Sequence, residues 1–293
     1  MVDKLSLYLF IILQKLVCIF PIRLVQRAGK VAGLVFFYLI PIRKKVALSN
    51  LNICFPENDL SWKKSIIKKS YINLCIILFE LLYLPKLSKE KAANLIRYGG
   101  EVKEEVFLDK NNLRFFLSAH FSNWEYSAYT FPQLFGEKLD IIVKTQANQS
   151  IDRKINELRQ KSGNEIIPIG LSLRGLFEKM RKKGIVCFLV DQSAHSEYSV
   201  YVEFFGKNVA TFSGPAKLAL KFRPVLIFSV LIRDDRYNYT IITNEIHYDD
   251  LIDSNEENVK ILTHRVQKKL EEMIRKYPEQ WLWFHKRFKY MRD

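Results

Sequence analysis

From about residue 110 onward the chain alternates short apolar runs with helical stretches, and this alternation constrains the fold more than any other feature. Leu113–Ala119 (LRFFLSA) reads as a strand, Asn123–Phe135 as a helix with Asn123 as its N-cap, and Leu139–Lys144 as a second strand. Ser150–Gln160 follows as a helix ended by Gly163, then Glu165–Ile169 as a short strand and Ser172–Lys183 as a helix ended by Gly184. Gly184–Val190 (GIVCFLV) reads as a buried strand and Gly214–Phe222 as a helix. Val225–Arg233 and Tyr237–Ile246 read as two strands meeting at an Asp-Asp turn, a hairpin, and Asn255–Lys276 as a long final helix. Strands separated by helices of about 10–15 residues build a parallel sheet covered on its faces. The expected class is therefore α/β, a mainly parallel mixed sheet flanked by helices. No internal repeat, low-complexity tract or Gly/Ser-rich linker interrupts it.

The first third is different. Leu5–Phe20 (LSLYLFIILQKLVCIF) is apolar except for polar residues such as Gln14 and Lys15, and Pro21 ends it. Val31–Ile42 is a second apolar stretch, followed by Arg43, Lys44 and Lys45. The first run is short against the roughly 20 residues that an unaided span needs. It has no small-residue cleavage site, and Asp3 sits where a signal peptide is basic. Three readings remain: a single anchor, helices lying in the membrane interface, or two ordinary buried helices. If the run spans, the basic residues after it place the rest of the chain on the cytoplasmic side. The expected organisation is 1–42 as anchor or interfacial helices and 43–293 as one α/β domain with a helical N-terminal layer. Trp62–Leu84 is another helix, read either as docking on anionic lipid or as a core helix.

Charge follows the same division. The chain carries 46 Lys and Arg against 31 Asp and Glu, a net +15. Sixteen of the basic and only five of the acidic side chains fall in residues 1–100, the most apolar third. A nucleic-acid-binding module would instead interleave basic residues with exposed aromatics along a groove. The distribution favours an anionic membrane surface over nucleic acid. Cys18, Cys54, Cys75 and Cys187 lie far apart with no CxxC pair, which disfavours both a zinc site and a disulfide-built secreted domain.

The sharpest local motif is Ser118-Ala-His-Phe-Ser-Asn-Trp-Glu125. His120 falls where a strand ends, and Glu125 lies in the first turn of the next helix. A carboxylate on one imidazole nitrogen leaves the other as a base for a hydroxyl proton. Glu125 reaching back to His120 would make two members of a triad, with the substrate supplying the nucleophile. The plain alternative is a loop histidine bonded to a neighbouring carbonyl. His195, His247 and His264 have no such pattern around them.

These residues carry a resemblance. His120-Phe-Ser-Asn-Trp-Glu125 resembles the H-x4-D/E signature of glycerolipid-type acyltransferases, in the form found in the late lipid A acyltransferases. Arg43-Lys-Lys-Val-Ala-Leu-Ser-Asn50 with Cys54-Phe-Pro-Glu57 resembles that family's basic run, Asn and FPE segment. Val190-Asp191-Gln192 resembles its DQ strand end, and Glu203-Phe-Phe-Gly206 with Ala210-Thr211 and Gly214–Ala219 resembles its FFG block. Pro278–Lys289 (PEQWLWFHKRFK) resembles its ending. The matches run in order from about Arg23 to Lys289. Two departures stand out: Val143-Lys144-Thr145 where the family usually has Tyr-Arg-Pro, and the segment Gln192–Ser199.

The resemblance implies a glycerolipid-acyltransferase-like fold and O-acyl transfer. The donor is expected to be an acyl thioester on acyl carrier protein, or acyl-CoA, and the acceptor a hydroxyl of a lipid A precursor. Another glycolipid or glycerolipid is the alternative acceptor, and a non-catalytic membrane adaptor on the same fold is a further one. His120 is the expected general base and Glu125 its partner. Lys144, Arg159 and Arg174 are candidates for phosphate groups of acceptor or carrier. Asp191 and Gln192 are candidates for polar roles near the site. Asn123 marks the expected oxyanion donors, through nearby backbone N–H groups. No metal or redox cofactor is implied. Partners are acyl carrier protein, the lipid A precursor and membrane lipid, not nucleic acid, and the place is the cytoplasmic side of a bacterial inner membrane. Phe204, Phe205 and Gly206 are read as shaping the fold or an acyl groove. Trp281 and Trp283 are read as either an interfacial aromatic belt or core.

Overall fold

The structure, a computed structural model, describes residues 2–169, 173–194 and 199–292. Its strands are β1 Ile96–Tyr98, β2 Arg114–Ser118, β3 Leu139–Val143, β4 Glu165–Pro168, β5 Ile185–Leu189, β6 Ser199–Phe204, β7 Lys207–Phe212, β8 Val225–Arg233, β9 Tyr239–Glu245 and β10 Met291–Arg292. Its α-helices are α1 Val2–Val17, α2 Ile22–Leu39, α3 Lys44–Cys54, α4 Leu60–Tyr83, α5 Lys89–Leu95, α6 Glu104–Leu108, α7 Trp124–Phe135, α8 Gln149–Lys161, α9 Leu173–Arg181, α10 Gly214–Phe222 and α11 Glu256–Lys276. Seven strands form one sheet in the order β1-β9-β8-β2-β5-β3-β4. Within it the β8–β9 hairpin is antiparallel and the other pairs are parallel. This is the expected α/β architecture.

The strand at the centre explains the arrangement. All five residues of β2 are buried, because β5 and β8 flank it and helices cover both faces. Such a strand reads as a continuous apolar run rather than an alternating one. The chain leaves β2 through α7 to β3, goes outward to β4, and only then returns as β5 between β2 and β3. The C-terminal ends of β2 and β5 therefore lie side by side, although Ser118 and Leu189 are 71 positions apart in sequence.

Four strands add to the expected set: β1, β6, β7 and β10. β1 and β10 have three and two residues, too short to show a period. The β6–β7 hairpin turns through Phe205 and Gly206 at φ 52° and 69°. Positive φ at both turn residues matches the strand twist and favours glycine, which accounts for Gly206. Phe204 and Phe205 are buried in the main core, so this segment shapes the fold.

The N-terminal helices pack onto the domain. α4 is a core helix, with Ile66, Ile67, Ile76 and Ile77 buried, so its apolar half is turned inward and not toward lipid. α2 lies directly against it. A Cβ on Gly29 would sit 2.8 Å from the Ile76 Cα, and one on Gly33 would sit 2.4 Å from the Ile72 Cα. Those neighbours are backbone, so the two helices touch only because these positions have no side chain. The outer face of α1 and α2 is the opposite: Leu5, Leu9, Ile12, Leu16, Val31 and Val35 are all exposed. Among the described residues, no helix is long and apolar enough to cross a membrane.

Trp281 and Trp283 are buried, 2% and 0% exposed, which corrects the aromatic-belt reading. Their segment folds back across the domain, where the Leu282 N–H donates to the His120 carbonyl at 3.0 Å. The main core thus joins the sheet, α3, α4, α11 and this C-terminal segment.

Gly33→Ala should overpack the α2–α4 contact and destabilise the protein by about 1–3 kcal/mol. Chemical denaturation of the purified variant measures this; an unchanged midpoint would contradict the close approach.

Candidate active site

The site begins with strand register. In the parallel β2–β5 pair, Ser118 stands opposite Leu189, and the Val190 N–H donates to the Ser118 carbonyl at 2.9 Å. Two residues further along each strand come His120 and Asp191. Neighbouring strands lie about 4.8 Å apart, so side chains at equal register meet. The His120 Nδ1 is 2.8 Å from Asp191 Oδ1. Asp191 Oδ2 accepts from the His120 backbone N–H at 3.0 Å and from Trp281 Nε1 at 3.0 Å. A carboxylate only accepts, so Nδ1 carries the proton, and in the neutral ring Nε2 presents a lone pair. The Gln192 amide nitrogen lies 3.3 Å from that Nε2.

This corrects the expected partner of His120. Glu125 does not hold the imidazole. Its Oε2 accepts from Arg159 Nε at 2.9 Å, and its Oε1 accepts from Arg159 Nη2 at 2.6 Å and Trp124 Nε1 at 3.1 Å. The cause is local. Asn123 caps α7, its Oδ1 accepting from the Tyr126 N–H at 2.9 Å, so Trp124 and Glu125 are already helical. Glu125 then points at the last turn of α8, while the Trp124 ring stands edge-on to His120 at 4.9 Å. The bidentate fork of Arg159 suits that carboxylate. Arg159 Nη1 is also used, donating to Asn156 Oδ1 at 2.8 Å, so the guanidinium is a positioned partner of Glu125 rather than an open phosphate-binding group.

Charge sets the protonation behaviour. Burial alone would lower the His120 pKa, but the adjacent Asp191 charge and hydrogen bond, with Glu125 behind them, hold it above the ordinary imidazole value against Arg159. Burial would raise the Asp191 carboxyl, yet the His120 charge and the donors to it keep it below the usual carboxylate range. His285 behaves oppositely: burial, with His120, Arg287 and Arg43 nearby, outweighs Asp191 and lowers its pKa. A neutral His285 can accept, and the Ser193 N–H donates to its Nε2 at 3.2 Å.

Other candidates fall in different places. Asn123 is fully buried, its Nδ2 donating to Glu80 Oε2 at 2.7 Å, so its side chain is a structural cap and not a substrate contact. Lys144 stands exposed just after β3. Arg174 lies in α9 with its side chain outside the described residues, and His195 is outside them altogether. Asp191 and Gln192 do join His120.

Several contributors were missed as site residues: Trp281, His285, and the anchors of their segment. Asn50 Nδ2 donates to the carbonyls of Trp283 at 2.8 Å and His285 at 2.7 Å, and Arg43 Nη1 donates to that of Phe284 at 3.1 Å. Behind Asp191, Gln267 Nε2 donates to the Val190 carbonyl at 2.8 Å, and Arg287 Nη2 donates to Gln267 Oε1 at 3.1 Å. Burial depresses Arg287 to about 10. The only sequence signal for Arg43, Asn50, Trp281, His285 and Arg287 was their place in family-like segments, and Gln267 had none.

The whole chain has relatives. Residues 1–290 match the family described as bacterial lipid A biosynthesis acyltransferase. A lipid A biosynthesis myristoyltransferase of Escherichia coli K12 is 24% identical over 272 residues, covering 91% of this chain and 80% of that one. Lipid A biosynthesis acyltransferase 2 of Shigella flexneri is 24% identical over 247 residues, covering 84% and 77%. A search of solved structures finds the 1-acyl-sn-glycerophosphate acyltransferase of Thermotoga maritima at 13% identity and TM-score 0.40, covering 85% of this chain and 98% of that one.

The His120 ring should titrate above the ordinary histidine value of about 6.5 in an NMR pH series. Asp191→Asn removes the largest raising charge and leaves the burial, so the midpoint should fall. A midpoint unmoved in that variant would mean Asp191 does not govern the ring.

Proposed function

The chain belongs to the bacterial lipid A biosynthesis acyltransferases, and from that premise we propose that it moves a fatty acyl chain from an acyl thioester to a hydroxyl of a lipid A precursor. The supporting observation is the His120–Asp191 pair, in which Nδ1 is bound to the carboxylate and Nε2 faces the exposed Gln192. In this reading the acceptor hydroxyl attacks the thioester carbonyl carbon as Nε2 takes its proton. Asp191 holds the ring in the correct tautomer and stabilises the imidazolium that forms. The imidazolium then returns the proton to the departing thiolate. Glu125 and Arg159 build the wall beside the ring, and Glu125 adds negative charge that favours the imidazolium.

The donor we propose is the thioester of acyl carrier protein, an acidic partner for a basic chain. Lys144 and Arg174 remain our candidates for phosphate groups of acceptor or carrier. We place the protein on the cytoplasmic face of a bacterial inner membrane, with α1 and α2 in the interface. Their exposed apolar stripe is flanked by the exposed basic residues Lys15, Arg27 and Lys30, the pairing that an anionic bilayer surface attracts.

Two experiments test this. His120→Ala should lower acyl transfer by about 10²–10⁴-fold or more. Mass spectrometry of lipid A from cells carrying only that variant should show one acyl chain missing; a full complement would rule out His120 as the base. Replacing Leu9, Ile12 and Leu16 together by Glu should move the protein from the membrane to the soluble fraction without a change in its far-UV spectrum.

A further inference from the structure

Acyl transfer through a tetrahedral intermediate needs a donor for the carbonyl oxygen as it becomes an oxyanion. The loop before α7 does not offer its first N–H groups. That of His120 donates to Asp191, that of Phe121 to the Ala119 carbonyl at 2.7 Å, and that of Ser122 to the Gln280 carbonyl at 2.7 Å. The Asn123 amide is divided between Tyr126 and Glu80. A side-chain donor does stand beside the base, at the neighbouring strand end.

We propose that Gln192 is that donor, a catalytic residue whose amide N–H stabilises the oxyanion, and that His285 is the positioning residue that keeps it beside His120. The assignment rests on reading His120 as the general base. Three consecutive residues after β5 are tied to the site, each differently. Asp191 is buried against Nδ1. The Ser193 N–H is held by His285 Nε2, and Ser193 also forms a bridge to Thr211 of β7. Gln192 lies between these two anchors, with an exposed side chain whose amide reaches the Nε2 lone pair. Its backbone is pinned while its side chain can pivot.

The pivot matters because the acceptor hydroxyl must occupy the place the amide holds. On arrival the hydroxyl hydrogen-bonds to Nε2 and the amide turns to the thioester carbonyl oxygen, one hydrogen-bond length away. The hydroxyl oxygen forms its bond to the carbonyl carbon, its proton passes to Nε2, and the carbonyl π pair moves onto the oxygen facing Gln192. Collapse re-forms the carbonyl, breaks the carbon–sulfur bond, and the thiolate takes the proton from Nε2. The products are an ester and a thiol. The amide bond strengthens as charge grows on the oxygen, so it favours the transition state over the bound substrate.

His285 suits its part because it is an acceptor only while neutral. Its segment is held in turn by Asn50 and Arg43 through backbone carbonyls, so the imidazole has a rigid base.

The test uses the purified full chain in mixed micelles, with an acyl-acyl carrier protein and a lipid A precursor bearing a free 3-hydroxyacyl hydroxyl. Gln192→Ala and Gln192→Met, the latter a near-isostere without a donor, should each lower kcat by about 10²–10³-fold with little change in either KM. His285→Ala should lower kcat similarly, His285→Gln should restore part of it through its Oε1 acceptor, and the double variant with Gln192→Ala should be no slower than Gln192→Ala alone. A wild-type kcat in Gln192→Ala, or a rise in KM alone, overturns the oxyanion assignment. Losses that multiply in the double variant overturn the link to His285. His120→Ala run alongside separates the two readings: if it stays active the base is wrong, whereas an inactive His120→Ala with a fully active Gln192→Ala refutes only the present inference.

Discussion

The contact between His120 and Asp191 ties the site to the fold, because it exists only where the ends of β2 and β5 lie side by side. Asp191 is almost completely buried, and a buried carboxylate is tolerated only when its oxygens are filled. They are filled by the His120 ring, the His120 backbone and the Trp281 indole. The C-terminal segment must therefore return to the sheet for the pair to be stable. Each of the three donors offsets part of the cost of burying that charge, so catalytic geometry and folding share the same hydrogen bonds.

A second buried carboxylate plays the corresponding part for the helical layer. Glu80 of α4 accepts from Gln26 of α2 at 2.6 Å, from the α7 cap Asn123 at 2.7 Å and from Tyr239 of β9 at 2.5 Å. Burial pushes its pKa up, against the Arg233 charge and these three donors. The start of α7, which sets where Trp124 and Glu125 point, is thus anchored to residues of the first third. Together with the glycine contact between α2 and α4, this binds the segment with the exposed apolar face to the segment that carries the ring. A membrane-facing surface on α1 and α2 would be mechanically continuous with the site.

Much of the fold was legible from local pattern. β2 and β8 are buried on both faces and β5 largely so, and all three appear as mainly apolar runs; α7 announces itself by Asn123, and the β8–β9 hairpin by its polar turn. β1 and β10 were not legible, since two or three residues carry no period and pair only because β9 and β7 offer edges. The apolar half of α4 was ambiguous for a different reason. Burial against Gly29 and Gly33 and burial against lipid demand the same side chains. Trp281 was ambiguous likewise, as an indole with one polar atom suits a bilayer interface or a buried acceptor equally.

The sequence by itself determined the α/β class, the place of His120 at a strand end, the cap that begins α7, and the order of family-like matches from about Arg23 to Lys289. Those depend on neighbours a few residues apart or on matching runs of chain. Only the tertiary structure decided which carboxylate meets the imidazole. Glu125 is five residues away and turns to Arg159, because a capped helix directs it there. Asp191 is 71 residues away and meets His120, because the chain places two outer strands before it returns β5 to the side of β2. Strand order is set by how whole layers pack, and no local spacing encodes it.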